Sequence, residues 1–240
     1  MNNTFIAKQI TKEIEVSIIS AGPEYSLDEA IWAVNWFDVK NKGLYDFYNI
    51  IASSHVRQVG GSALFKGSLI KRISGDKNDE RKVLLIVSYP KPDSFLEMLT
   101  SKMFQIKSLI RELAVEDFTF GFMKRLDDGE MSSGNFKKYE GNLIYMVHHF
   151  KSQNTIDTSS IKELAAEQDI FTHFSGIKSA LVGRKKKDGK LRTSPFLMDG
   201  MLIFGAFEEN QFEGFIASEF YKTFISQNQS NYIALFKREV

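Results

Sequence analysis

Residues 84–105, LLIVSYPKPDSFLEMLTSKMFQ, return without a gap and in changed letters as MLIFGAFEENQFEGFIASEFYK at 201–222. Leu85 falls on Leu202, Ile86 on Ile203, Phe95 on Phe212, Ser101 on Ser218 and Phe104 on Tyr221, a constant offset of 117 residues (202 − 85). Ser62-Ala63-Leu64 and Ser179-Ala180-Leu181 stand at the same offset. Self-similarity at a fixed spacing marks a repeated supersecondary unit. A chain of 240 residues built this way is expected to be two copies of one half-domain that share a core.

The patterns on either side of the repeat say what the half-domain is. Residues 30–39, AIWAVNWFDV, are aromatic and β-branched and apolar on both faces, which predicts a strand covered on both sides. After a turn at Asn41–Gly43, the spacing of Leu44, Phe47, Tyr48, Ile51 and His55 predicts an amphipathic helix, stopped by Gly60-Gly61. Residues 62–73 and 82–89 predict a hairpin around the polar loop SGDKNDER, with Pro90 and Pro92 ending its second strand. Asp93 is a natural N-cap for one long helix to about Val115, burying Phe95, Met98, Leu99, Ile106, Leu109, Ile110 and Leu113. A strand at 118–124 places Phe118, Phe120 and Phe122 on one face. The order then recurs: strand 142–150, helix 159–174, strand 177–184, strand 198–207, helix 210–227 and strand 232–237.

Strand, helix, strand, strand, helix, strand is the split βαβ order of the ferredoxin-like fold. The expectation is therefore an α+β protein with a first repeat at 29–125, a polar linker at 126–140 and a second repeat at 141–240. Each sheet would carry helices on one face and an apolar second face that needs cover. The two tandem βαββαβ repeats are expected to pack sheet to sheet as an intrachain α+β barrel. Residues 1–28 are an N-terminal extension in which 15–20 predicts an added edge strand, closed by a turn at Ala21-Gly22-Pro23.

Lysine and arginine number 31 against 30 acidic residues, so no global field would hold nucleic acid or an anionic membrane. The absence of cysteine removes disulfides, thiolate metal sites, iron–sulfur clusters and a cysteine nucleophile together. Lys8, Lys12, Glu13 and Glu15 interrupt any signal-like apolar run at the start, and no later run nears the ~18 residues of a membrane span. A soluble, cytoplasmic protein is the expectation. The 21 phenylalanines could fill a core or line an apolar pocket.

Gly60-Gly61 before one strand, Tyr89-Pro90 closing the next, and Thr100-Ser101-Lys102-Met103-Phe104-Gln105 followed by Arg111 give the chain a family resemblance. It resembles the dimeric α+β barrel superfamily, and within it small bacterial proteins of unknown function near the antibiotic-biosynthesis monooxygenases. Ser218-Glu219-Phe220-Tyr221 repeats part of the pattern, while the second copy has Gly176 for the double glycine and Asn228 for the arginine. The resemblance implies a site for a small organic molecule, including an aromatic one. It spans cofactor-independent oxygenases and isomerases, haem-binding enzymes and proteins without known activity. No cofactor is expected on the main reading; haem is the alternative.

Within that frame His148-His149 is the sharpest catalytic candidate. Successive strand residues point to opposite faces, so one imidazole at most would face a given cavity, as a general base. The plain alternative is a strand end where both rings meet water or a carbonyl. Asn35, Trp36, Arg111 and Tyr221 are candidate ligand contacts: in oxygenase relatives an asparagine and a tryptophan hold an aromatic substrate, and Arg111 offers a fork to a carboxylate or enolate. Against this stand a satisfied core amide and a surface pair of Arg111 with Glu112 or Glu116. His173, read as lying near a helix end, would be the axial ligand if haem were bound, or a histidine favoured by the helix dipole. His55 reads as a packed, hydrogen-bonded residue. The basic run Arg184–Lys187 before Asp188-Gly189 reads as a solvated hairpin tip. A small organic molecule is the expected partner, with a non-enzymatic binding or scaffold protein as the other reading. A homo-oligomer is compatible with either.

Overall fold

The computed structural model describes residues 8–11, 14–21, 26–126, 142–152, 158–185, 191–193 and 198–239. Most of the turn at 21–23, the linker beyond its first residue and the Asp188-Gly189 tip lie outside the described residues. In chain order the elements are β1 (Lys8–Thr11), β2 (Ile14–Ala21), β3 (Ile31–Val39), α1 (Lys42–Gln58), β4 (Ser62–Ser74), β5 (Val83–Tyr89), α2 (Pro92–Thr100), α3 (Lys102–Ala114) and β6 (Val115–Arg125). They continue with β7 (Ile144–Lys151), α4 (Ser159–Glu167), β8 (Phe171–Lys185), β9 (Leu191–Thr193), β10 (Gly200–Ala206), α5 (Glu209–Ala217), α6 (Glu219–Ser226) and β11 (Ser230–Arg238). The protein is α+β, with two ferredoxin-like sets of elements. Hydrogen bonding joins the strands in the order β1-β2-β8-β10-β7-β11-β4-β5-β3-β6; β9 adds to β8, and β8 also pairs with β6, so eight strands form a ring of pairings. The strand expected at 15–20 is β2, antiparallel to β1 and β8.

The chain divides into two compact units, 1–66 with 81–124 and 178–196, and 67–80 with 125–177 and 197–240. In the first, Phe95 of α2 stacks on Phe120 at 5.4 Å between ring centroids and meets Phe122 edge-on at 4.9 Å. The expected single face of Phe118, Phe120 and Phe122 is thus the helix-covered face of β6. Ile31 and Ala33 of β3, Val87 and Tyr89 of β5, and Phe104 of α3 complete that core. In the second unit, Met146 and Phe150 of β7, Leu202 and Phe204 of β10, and Ile233 and Leu235 of β11 pack against Phe212, Phe215 and Tyr221.

Several expectations change. Each long helix is two helices, broken at Ser101 and at Ser218. Both serines are extended (ψ 132° and 142°) and cap the following helix, accepting from the amides of Phe104 and Tyr221. Asp93 is not a cap: Lys91 holds that place and Pro92 opens α2, where a missing N–H costs nothing. Asn41 belongs to no turn but caps α1 through Leu44 N at 3.1 Å. The buried face of α1 centres on Tyr45 and Ala52, with Leu44 and Phe47 exposed, and on α3 Ile106, Leu109 and Leu113 are exposed too.

The helix expected to run to residue 174 stops at Glu167 and β8 begins at Phe171, with Asp169 at positive φ (55°) in the turn between. Aspartate tolerates this region better than most residues. The match of Ser62–Leu64 to Ser179–Leu181 is also out of register. Ser62 hydrogen-bonds Ser88 at 3.0 Å, while Gly205, 117 residues beyond Ser88, pairs with Phe171. The place of Ser62 is therefore taken by Phe171, and Ser179 lies eight residues (179 − 171) further along β8.

Candidate functional site

His148 stands on the face of β7 that α5 and α6 cover, and it is fully buried. Its two ring nitrogens are held by residues far along the chain. Asn231 Nδ2 donates to Ile225 O at 3.0 Å, which orients the amide and makes Oδ1 an acceptor. That oxygen accepts from Asn228 Nδ2 at 3.0 Å and from His148 Nε2 at 2.9 Å. With its proton on Nε2, the imidazole accepts at Nδ1 from the Tyr221 hydroxyl, 2.7 Å away. Phe150 and Phe224 lie against the imidazole, with centroids 5.2 and 5.7 Å away.

A charge here would face apolar walls. Burial pushes the His148 pKa down to about 4, partly offset by Asn231, and burial pushes the Tyr221 hydroxyl well up. The imidazole is neutral and the phenol protonated at neutral pH, the forms that the hydrogen bonds require. His149 points to the other face of β7, stacked on Tyr232 at 4.8 Å, and burial with the nearby His148 and Lys151 lowers its pKa to about 3. The two histidines are thus both buried, on opposite faces, rather than at a solvated strand end.

The equivalent place in the first unit follows from strand register. Val34 pairs with Ile86, and Val147 with Ile203. Since Ile86 and Ile203 match in the repeat, Asn35 stands where His148 does, at an offset of 113 (148 − 35). On the outer strands Phe118 likewise answers to Asn231, and on the helices Phe104 and Arg111 answer to Tyr221 and Asn228. Asn35 Nδ2 donates to Ala33 O and Leu85 O, both at 3.2 Å. Arg111 lies over the Phe118 ring, with Cζ 4.7 Å from the centroid, and hydrogen-bonds Tyr48. It does not form the surface pair with Glu112 or Glu116, and among the described residues it has no ion pair at all. Burial raises the Tyr48 hydroxyl against the opposing pull of Arg111; Tyr89 is raised by burial and by Tyr48.

Trp36 is buried on the face opposite Asn35, and its carbonyl accepts from Thr119 Oγ1 at 3.2 Å. These two candidates therefore do not share a site. His173 is on strand β8 and not at a helix end; its ring meets Tyr145 edge-on at 5.3 Å and its carbonyl accepts from Arg125. His55 is half-buried and hydrogen-bonds Lys107 Nζ at 2.9 Å, as its packed reading required. Asn231 was not singled out from the sequence, and Tyr48 only as part of the apolar face of a helix. The register that maps Asn35 onto His148 was the signal that could have found the position of Asn231. Among the described residues no group of three or more histidine, aspartate or glutamate side chains could hold a metal ion, and no helix is long and apolar enough to cross a membrane.

No family model matches the chain, and no curated protein matches it. Among solved structures it is similar to a protein of unknown function from Rhodopseudomonas palustris, at 19% identity and TM-score 0.40 over 42% of this chain and 85% of that one. It is similar to a candidate monooxygenase from Fusobacterium nucleatum, at 12% identity and TM-score 0.46 over 89% of this chain and 94% of that one. A variant of chlorite dismutase from Candidatus Nitrospira defluvii is also similar, at 10% identity and TM-score 0.46 over 88% and 91%. The order of its own elements and strand pairings makes the chain an α+β protein of ferredoxin-like type.

Proposed function

We propose that the protein binds a small planar organic anion, such as an aromatic carboxylate or enolate, between the helices and sheet of its first unit. The observation that carries the reading is Arg111, a half-buried guanidinium over Phe118, beside the Tyr48 hydroxyl and without a counter-charge among the described residues. A cation in an apolar surrounding is costly unless it is paired. An incoming carboxylate would supply the pair through the planar fork, and the rings of Phe118 and Phe37, with centroids 6.0 Å apart, would meet an aromatic body. Asn35 would contribute its amide oxygen, its NH2 being engaged with the backbone. In the second unit the same positions close on themselves through His148, Tyr221, Asn228 and Asn231.

Benzoate and salicylate are suitable probes, with binding followed by titration calorimetry. Arg111→Gln is expected to weaken binding about tenfold or more, which corresponds to ~1.4 kcal/mol. Equal binding by this variant, or no binding of either probe to the unaltered protein, would sink the reading. Cofactor-independent oxygenation or isomerisation at the site is a second reading, favoured by the 2.7 Å contact between Tyr221 and His148, which could pass a proton. It requires the sealed imidazole to open to substrate, and unchanged turnover in His148→Ala with His149→Ala would remove it. Ligation of haem by His173 has less support, because that ring is packed against Tyr145; a Soret band in the purified protein would reverse this ranking.

A further inference from the structure

We propose that the outer face of α1 and α3 is a homodimer interface, independently of what the first unit binds. Phe47 and Ile50 of α1 and Met103, Ile106, Leu109 and Leu113 of α3 are between 52% and 72% exposed. Spacings of three and four residues put each set on one stripe of its helix. The two helices pack along one another and are tied by Lys107 Nζ, which donates to Ile51 O at 2.6 Å and meets His55 at 2.9 Å. The two stripes therefore belong to one rigid surface. Scattered apolar side chains on a surface need no explanation, but a contiguous patch of this kind does.

The second unit shows that the fold does not require the patch. At the repeat offset, Ile106 is replaced by Thr223 and Leu109 by Ser226, both exposed, and Leu113 by Ser230 beyond the end of α6. The same helix in the second unit is polar at these places, apart from Phe220 in place of Met103.

The extent of the patch selects a second copy of this chain as the occupant. With ~200 Å² for a fully exposed side chain of this size, the six exposures together with Leu44 amount to roughly 800 Å², the area each partner buries in a stable interface. Around the patch stand Lys42 and Asp46, which pair with each other at 2.6 Å, and Arg57, Lys102 and Glu112, all exposed and of both signs. A two-fold interface places each group opposite its own kind or its neighbours, and a mixed rim can pair with itself where a rim of one sign would repel. A lipid surface, by contrast, would be matched by a basic rim, which this is not.

The chain has no cysteine, so a single introduced thiol reports one position. The intact protein is expected to sediment as a dimer at micromolar concentration, and Ile50→Glu with Leu109→Glu as a folded monomer with unchanged far-ultraviolet circular dichroism. Ile106→Cys is expected to give a covalent dimer with a short bis-maleimide, while Phe220→Cys, at a comparably exposed place on α6, is expected to give no covalent dimer although it still sediments as one. A monomeric intact protein overturns the proposal, including one that binds phosphatidylcholine vesicles instead. So does a double variant that remains dimeric, or cross-linking that is equal at Ile106→Cys and Phe220→Cys. Because Arg111 is unaltered in these variants, benzoate binding reads separately from assembly.

Discussion

Burial holds the His148 imidazole neutral with a pKa near 4, against an ordinary value of 6.5, and the consequence is a stability that depends on acid. Between these values the unfolded chain binds a proton that the folded chain refuses. The contribution of His148 is complete above pH 6.5 and is lost as pH falls towards 4, at ~1.4 kcal/mol per unit of pH where one group titrates. His149, depressed to about 3, acts with the same sign. The melting temperature is therefore expected to fall between pH 6.5 and pH 4, and the fall should be shallower in His148→Gln, whose amide cannot take up the proton. Thermal scans across this range check it; equal slopes for the two proteins would show that His148 does not bind its proton on unfolding. The sequence marked His148 as worth watching but not its environment, because Tyr221, Asn228 and Asn231 approach from a helix and a strand more than 70 residues away. Arg111 was legible as a fork for an anion, whereas its place on Phe118 and beside Tyr48 depends on how α1 and α3 lie on the sheet.

The elements most readable in the sequence were those whose two faces are both apolar over a short run, β3, β5 and β10. The helices misled where a polar residue did two jobs. Ser101 sits inside an unbroken apolar period, and nothing in that period announces that its side chain will cap a new helix instead of continuing the old one. At 161–174 the spacing of Ile161, Ala165, Phe171 and Phe174 suits a helix as well as a two-faced strand. The positive φ of Asp169 resolves it only in three dimensions. The exposure of Ile106, Leu109 and Leu113 could not be read either, since periodicity shows that a face is apolar but not what lies against it. The two capping serines make a testable pair. Ser101→Ala and Ser218→Ala each remove an acceptor for a helix N–H and are each expected to cost about 1 kcal/mol, measured by urea unfolding. Placed far apart in sequence and on separate helices, the two losses should add. A loss below ~0.3 kcal/mol at both sites would mean that packing alone sets the breaks.

At the scale of the whole chain, repeat order and compactness do not coincide. The proposed repeats are 29–125 and 141–240, but the first compact unit includes 178–196 and the second includes 67–80. Two strands account for this: β4 places 62–66 in one unit and 67–74 in the other, and β8 places 171–177 in one and 178–185 in the other. Within the second unit β11 bonds to β4 from Gly67 to Ser74, and within the first β2 bonds to β8 from Ala180 to Lys185. A fragment ending at residue 126 would leave β2 and β6 without the strand they share, and one starting at 142 would leave β11 with an open edge from Ile233 to Arg238. Buried backbone groups without partners are what such an edge exposes. Neither fragment is expected to fold alone, while the two together are expected to assemble into a protein with the melting behaviour of a chain nicked between 126 and 142. Amide hydrogen exchange on separate and mixed fragments decides it. Native-like protection in β7 and β11 of the isolated second fragment would mean that this half completes its sheet without 67–80, and that the repeat is a self-sufficient domain.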